Sequence, residues 1–150
     1  MNLVSWNCQG LGNPKAVRAL HRIVKSKGPT VLFLMETKLN NGRIEDIRTK
    51  IGFDYAFTAP SVGRSGGLAL LWKQEVDMCI QNFSQHHIDA HMDSTQPRCW
   101  RLTGFYGWPK QHRRKESWAL LKHLHSLDSL PWLCIGDFNE ILTTIEKSGG

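Results

Sequence analysis

The chain has 150 residues, 41% of them hydrophobic and 21% charged, a length and mix that suit one soluble globular domain able to bury about 70% of its unfolded surface. No apolar stretch approaches the roughly 20 residues needed to span a bilayer, and the N-terminus carries neither a basic leader nor an apolar h-region, so an intracellular protein with no membrane partner is expected. The formal net charge of +6 and a pI near 9.4 are compatible with a polyanionic partner without requiring one.

In chain order, Leu3 and Val4 open a short strand that runs into Ser5-Trp6-Asn7. Asn13 is placed to cap a helix with Pro14 in its first turn; Val17, Leu20, Ile23 and Val24 form its apolar stripe, and Gly28-Pro29 end it. Val31 to Met35 reads as a second strand, ending at Glu36-Thr37-Lys38. A second helix is predicted from about Gly42 to Ile51, with Ile44, Ile47 and Ile51 inward and Gly52 as its stop. Strands follow at Leu68 to Trp72, Val76 to Phe83, His87 to Met92 and Cys99 to Phe105. A third helix spans roughly Lys115 to Leu127 and is expected to bury Leu120, Leu121, Leu124 and Leu127. Trp132 to Ile135, between Pro131 and Gly136, reads as a buried strand.

Cys8, Cys79, Cys99 and Cys134 show no Cys-x-x-Cys spacing and sit in apolar runs, so they read as buried reduced thiols of a reducing compartment. His87, Asp89 and His91 alternate and would share one face of a strand. That pattern suits a transition metal but more commonly marks a solvated sheet face. Ser65-Gly66-Gly67 lacks the spacing and the lysine of a phosphate loop and reads as a tight turn into a strand.

Gly136-Asp137-Phe138-Asn139 is the most informative segment. Asp137 and Asn139 are two residues apart, so an extended chain points both to one side. Two other apolar strands also end in an amide or acid, at Asn7 and at Glu36. Three such ends suggest a site at one edge of a sheet. Oxygen ligands without a Cys or His pattern favour a hard cation, Mg²⁺ or Mn²⁺, and hence phosphoryl transfer.

Ser5-Trp6-Asn7, Met35-Glu36-Thr37, Ser65 to Ala69, Gly104-Phe105-Tyr106-Gly107 and Gly136 to Asn139 occur in the order expected of the endonuclease/exonuclease/phosphatase superfamily, which the chain resembles. Arg64 to Trp72 and Glu146 to Gly150 look most like the N-terminal endonuclease of plant LINE-type (non-LTR) retrotransposons. The resemblance implies a DNase I-like, α+β, four-layer α/β/β/α sandwich. It also implies a Mg²⁺-dependent phosphodiesterase that nicks DNA, fused in family members to a downstream reverse transcriptase and working in the nucleus. Glu36 then matches the metal carboxylate, and Asn7 the amide beside metal and phosphate. Tyr106 matches a phosphate-assisting hydroxyl, Asp137 the acid that orients or deprotonates water, and Asn139 the amide that holds phosphate or Asp137.

Family members carry a further segment with a metal-site Asp and an Asp-His pair, which is not found here, so the sandwich is expected to be incomplete and cleavage poor. His125 and Asp128 precede the Gly-Asp-Phe-Asn motif and are not substitutes. Lys110, His112, Arg113, Arg114 and Lys115 form the densest basic cluster; Lys110, Arg113, Arg114 and Lys115 are candidate DNA-backbone contacts, with an exposed charged loop as the alternative. Each site residue has a plainer reading. Asn7, Asp137 and Asn139 could be turn formers, Glu36 could pair with Lys38, and Tyr106 could simply pack. A non-catalytic remnant that at most binds nucleic acid, or a phosphatase of small phosphoinositide-like substrates, are the competing functions.

Overall fold

The computed structural model describes residues 1–59, 66–95 and 97–138. Asn139, Arg64, Ser65 and the Glu146 to Gly150 stretch lie outside the described residues. Among the described residues, eight strands form two four-stranded sheets. The first, in the order β1-β2-β4-β3, contains β1 (Leu3–Asn7), β2 (Val31–Met35), β4 (Leu68–Trp72) and β3 (Tyr55–Ala59). The second runs β5 (Met78–Phe83), β6 (His87–Met92), β7 (Trp100–Tyr106), β8 (Trp132–Asp137). One pair in each sheet is parallel, β1 with β2 and β7 with β8; the other neighbours are antiparallel.

Strand alternation assigns the faces. Val31, Phe33 and Met35 of β2 and Leu68 and Leu70 of β4 meet Ile88, Ala90 and Met92 of β6 and Leu102 and Tyr106 of β7 in the core between the sheets. The opposite face of the first sheet, Leu32, Leu34, Ala69 and Leu71, is covered by Leu20 of α1 (Pro14–Lys27) and Ile44, Ile47 and Ile51 of α2 (Asn41–Ile51). The outer face of the second sheet lies under α3 (Arg114–Ser126). The result is the four-layer α/β/β/α sandwich, of α+β class.

The helix boundaries follow local chemistry. Asn13 Oδ1 accepts from Ala16 N at 2.8 Å and Pro14 occupies the first turn; Asn40 Oδ1 accepts from Arg43 N at 2.9 Å. Both helices stop at glycines in the left-handed region, Gly28 and Gly52. No helix among the described residues is long and apolar enough to cross a membrane.

Several sequence expectations need correction. β3 was not anticipated. The strand predicted from Val76 begins at Met78, Val76 being buried in the turn before it. β8 continues through Gly136 to Asp137 and is half-exposed rather than buried, because among the described residues it forms the sheet edge; Leu133 is 42% exposed. Of the four leucines assigned to the buried face of α3, only Leu124 is buried and Leu127 is exposed. Cys8 is buried, but Cys79 is exposed on the edge strand β5 and Cys99 and Cys134 are intermediate; all four are free. Burial pushes the Cys8 and Cys134 thiols up to about 12.

The His87, Asp89, His91 face is not solvated, which explains why α3 needs few apolar contacts. His87 and Asp89 are buried, and a polar chain links them. His87 Nε2 lies 2.5 Å from Asn82 Oδ1, Asn82 Nδ2 donates to Asp89 Oδ2 at 2.9 Å, and Asp89 Oδ1 accepts from Arg101 Nε and Thr103 Oγ1, each at 2.8 Å. Arg101 Nη1 donates to the Leu124 carbonyl of α3 at 2.5 Å, and the guanidinium lies 4.7 Å from the Trp132 ring centroid. His91 Nε2 meets Asp128 Oδ2 at 2.7 Å. A metal reading of the triad has no support here: among the described residues, no group of three His, Cys, Asp or Glu could hold an ion.

Two predictions follow from this packing. A Cβ on Gly104 would lie 2.5–2.8 Å from three ring atoms of Phe33, so Gly104→Ala is expected to cost about 1–3 kcal/mol by overpacking. Urea denaturation measures it, and adding Phe33→Leu should recover part of the loss; a neutral Gly104→Ala would show that the sheets separate freely. The second concerns His87, whose pKa is lowered from the usual 6.5 to about 4, first by burial. Between those values the unfolded chain binds the proton and the folded chain does not, so this contribution is whole above pH 6.5 and is lost as pH falls towards 4. His87→Gln should therefore show a shallower drop in Tm between pH 7 and pH 4.5 than the parent; parallel curves would refute the assignment.

Candidate active site

Strand parity brings three of the expected site residues to the same mouth of the inter-sheet space. Asn7 pairs with Met35 at the C-terminal ends of the parallel β1 and β2. Tyr106 pairs with Asp137 at the C-terminal ends of the parallel β7 and β8. Asn7, Tyr106 and Asp137 sit on the faces that turn toward the opposite sheet, and Glu36 follows β2 directly.

Glu36 is the hub. Its Oε2 accepts from Asn7 Nδ2 at 2.6 Å and from the Tyr106 hydroxyl at 2.9 Å, so one carboxylate oxygen joins the two sheets. Asn7 Nδ2 also lies 3.5 Å from Asp137 Oδ2. Asn7 Oδ1 accepts from Gln9 N at 3.1 Å, which fixes the flip of the amide. Asn7, Glu36, Tyr106 and Asp137 thus converge, whereas Asn139 lies outside the described residues.

The backbone around Glu36 is unusual. Gln9, Glu36 and Lys38 all have φ between +51° and +56°, a region that non-glycine residues seldom occupy. Hydrogen bonds hold them: Gly10 N to Glu36 O at 2.8 Å, Thr37 N to Gly67 O at 3.1 Å and Lys38 N to Gly66 O at 2.9 Å. Gly67 must be glycine at φ +99°, since a Cβ would sit 2.6 Å from Thr37 Oγ1. Gly66-Gly67 is therefore a strut under the Glu36 turn; Ser65, the first residue of the tight turn expected there, lies outside the described residues.

Two carboxylates within reach of one amide repel each other unless a cation or hydrogen bonds offset the charge. Two carboxylates without Cys or His suit a hard divalent cation that keeps most of its waters. Glu36 offers a carboxylate to such an ion with Asp137 adjacent, whereas Asn7 turns its Nδ2, a donor, toward both carboxylates and its Oδ1 toward Gln9 N.

On the Tyr106 side of Glu36, a cavity of about 340 Å³ is lined by residues that include His86, Trp108, Lys110 and Arg113. It does not reach Asn7 or Asp137. The basic cluster therefore divides: Lys110 and Arg113 face the cavity beside Glu36, while Lys115 is exposed on α3 and Arg114 is partly buried. Arg113 also forms a side-chain ion pair with Glu116, which supplies the acid that the first turn of α3 otherwise lacks.

Sequence reasoning missed His86 and Trp108. Their rings stack at 3.5 Å between centroids and 12° between planes, and the His86 and Tyr106 rings are 6.0 Å apart, also at 12°. His86 Nδ1 lies 2.7 Å from the Tyr106 carbonyl, an acceptor, so Nδ1 carries the hydrogen. Burial lowers the His86 pKa and favours the neutral ring. The one available signal was Trp108, two residues beyond Tyr106; nothing in the sequence marks a histidine in the β5–β6 turn as its partner.

No curated protein matches the sequence. Among solved structures the chain is similar to the human nocturnin catalytic domain, at 14% identity and TM-score 0.71, covering 95% of this chain and 66% of that one. It is similar also to an AP endonuclease from Archaeoglobus fulgidus, at 17% identity and TM-score 0.73, with 97% and 60% covered. The endonuclease domain of TRAS1, a telomere-specific non-LTR retrotransposon, aligns at 10% identity and TM-score 0.65, with 93% and 59% covered. The chain thus spans about two thirds or less of the length of these three structures, and such likenesses show the fold. The family model described as Endonuclease/Exonuclease/phosphatase family matches residues 4–149, so the chain belongs to the endonuclease/exonuclease/phosphatase family.

Proposed function

We propose that this chain is the N-terminal part of a divalent-metal-dependent phosphodiesterase that nicks DNA, of the retrotransposon endonuclease type. The observation that carries the reading is the Glu36 carboxylate held from both sheets by Asn7 and Tyr106, with Asp137 beside it. Glu36 would hold Mg²⁺ or Mn²⁺, which when bound neutralises charge on the phosphate; Asn7, whose Nδ2 donates to Glu36, would join it by turning its Oδ1 away from Gln9 N. Asp137 accepts the proton of, or orients, the attacking water. The Tyr106 hydroxyl, whose one hydrogen goes to Glu36, would turn that hydrogen to a phosphate oxygen entering the same pocket. Asn139 is assigned to the phosphate or to Asp137 by its motif. Lys110 and Arg113 lie where a polyanion would cross the cavity; the AP endonuclease and TRAS1 likenesses favour DNA as that polyanion.

A second reading is a non-catalytic remnant that binds nucleic acid, which Lys110 and Arg113 at the cavity would serve equally well. Nicking of supercoiled plasmid separates the two. The proposal expects slow nicking with Mg²⁺ that stops in EDTA and falls about 10²–10³-fold in Glu36→Gln, the loss typical of one preorganised electrostatic group. DNA binding without any metal-dependent nicking would leave the remnant reading standing.

Salt dependence tests the cluster. If Lys110 and Arg113 each contact a duplex phosphate, replacing both with Gln should lower the magnitude of the slope of log K against log salt by about 1.8, at roughly 0.9 per contact. The same change at Arg114 and Lys115, which the cavity does not include, should lower it less. Equal effects would return the whole cluster to a general charged surface.

A further inference from the structure

A second cavity of about 580 Å³ adjoins the one at Glu36 and shares Gln85, His86, Trp108 and Arg113 with it; Phe83 and Leu120 complete its apolar lining. Two features set it apart from an ordinary surface groove. The first is a series of planar groups that leads away from the carboxylate: Tyr106, then His86, then Trp108, with the Arg113 guanidinium 5.7 Å from the Trp108 centroid. The second is Phe83, a large ring left 47% exposed in this cavity and backed by Phe57 at 5.1 Å between centroids.

Aromatic surface beside a cation, continuous with a pocket suited to phosphate, matches the two ends of a nucleotide. A π-face receives the base and the cations receive the backbone. Protein and lipid partners would also cover Phe83, but neither accounts for the continuity with the Glu36 pocket. Tyr106 and Trp108 are two residues apart, at most about 7 Å along the chain, so the cavity lies close to the phosphate that Tyr106 would contact. His86 is fixed by its bond to the Tyr106 carbonyl and serves as wall rather than as phosphate ligand.

We propose that this cavity holds one unstacked nucleobase of the strand being cut, adjacent to the scissile phosphate, so that the enzyme selects DNA carrying an unpaired nucleotide at the nick site over fully paired duplex. The inference rests on the phosphodiesterase reading for the identity of the neighbouring phosphate. Base stacking of this kind is tolerant of sequence because every base offers a π-face.

The test measures binding by the full chain in EDTA, so that it does not depend on cleavage. The probes are a fluorescein-labelled oligothymidylate and a fluorescein-labelled blunt hairpin closed by a non-nucleotide linker, so that it holds no unpaired base, read by anisotropy. Phe83→Ala and Trp108→Leu are each expected to weaken oligothymidylate binding by at least about fivefold while changing hairpin binding by less than about twofold. Phe83 is exposed, so its variant remains informative if Trp108→Leu does not fold. No loss on the oligothymidylate with Phe83→Ala, or an equal loss on both probes, overturns the proposal. Plasmid nicking by Phe83→Ala and by Glu36→Gln is read separately. Retained nicking with no base discrimination removes only the subsite, whereas Glu36-independent nicking removes the catalytic reading.

Discussion

The contact of Phe33 with the bare backbone of Gly104 joins the centres of the two sheets, and the site depends on it. β2 lies between β1 and β4, and β7 lies between β6 and β8. Phe33 is fully buried, and any side chain at Gly104 would intrude on its ring. Counting outward from this contact, Tyr106 is two residues past Gly104 and Glu36 three past Phe33. The hydroxyl and the carboxylate therefore meet at 2.9 Å because the central strands cannot slide past each other. The parallel neighbours β1 and β8 add Asn7 and Asp137 at the same level. Position along the strands, set in the core, becomes distance at the site.

The two outer faces solve their burial differently. Under α1 and α2 the first sheet presents apolar side chains apart from Thr58, which bonds to Asn41 of α2. Under α3 the second sheet presents Asp89, Arg101 and Thr103, all buried. Replacing such a pair with apolar residues is often neutral, while removing one partner costs about 3–5 kcal/mol because the other charge is stranded. The value of the pair here is positional. Arg101 reaches the last turn of α3 at Leu124, and Asp89 links through Asn82 and His87 to Ser84, at the base of the β5–β6 turn that carries His86. Helix, sheet and turn are registered by directional bonds where apolar contact alone would permit sliding.

What was legible in the sequence is what local chemistry dictates. The caps Asn13 and Asn40, the stops Gly28 and Gly52, and the apolar run of β2 each state their structure within a few residues; of these, Asn40 alone was passed over. β3 was missed because Tyr55 to Ala59 is short and offers no clean alternation. The α3 face was misjudged because leucine spacing cannot reveal that the facing sheet is polar. Glu36, Asn7 and Asp137 could be singled out because each stands at the end of a strand, Tyr106 only through the family resemblance, and the structure brings the four together. Their catalytic roles come from the family resemblance and are not read from the fold. His86 could not be found, since its place depends on a ring stack with a residue 22 positions away.

The strain at Glu36 gives the site its direction. A left-handed non-glycine residue costs on the order of 1–3 kcal/mol and persists only where its surroundings over-determine it. The bonds from Gly10, to Gly66 and Gly67, and from Asn7 and Tyr106 do so, each contributing about 1 kcal/mol net. An extended continuation of β2 would carry the chain straight on from Met35; the positive φ turns it instead, and the carboxylate meets the Tyr106 hydroxyl of the other sheet. Gly67 is part of that arrangement, because a bulkier residue would displace Thr37 and with it the turn. The residue that the metal reading most needs thus also has a left-handed backbone that hydrogen bonds hold from several sides. That coincidence is expected where a charge must be held in place before the substrate arrives.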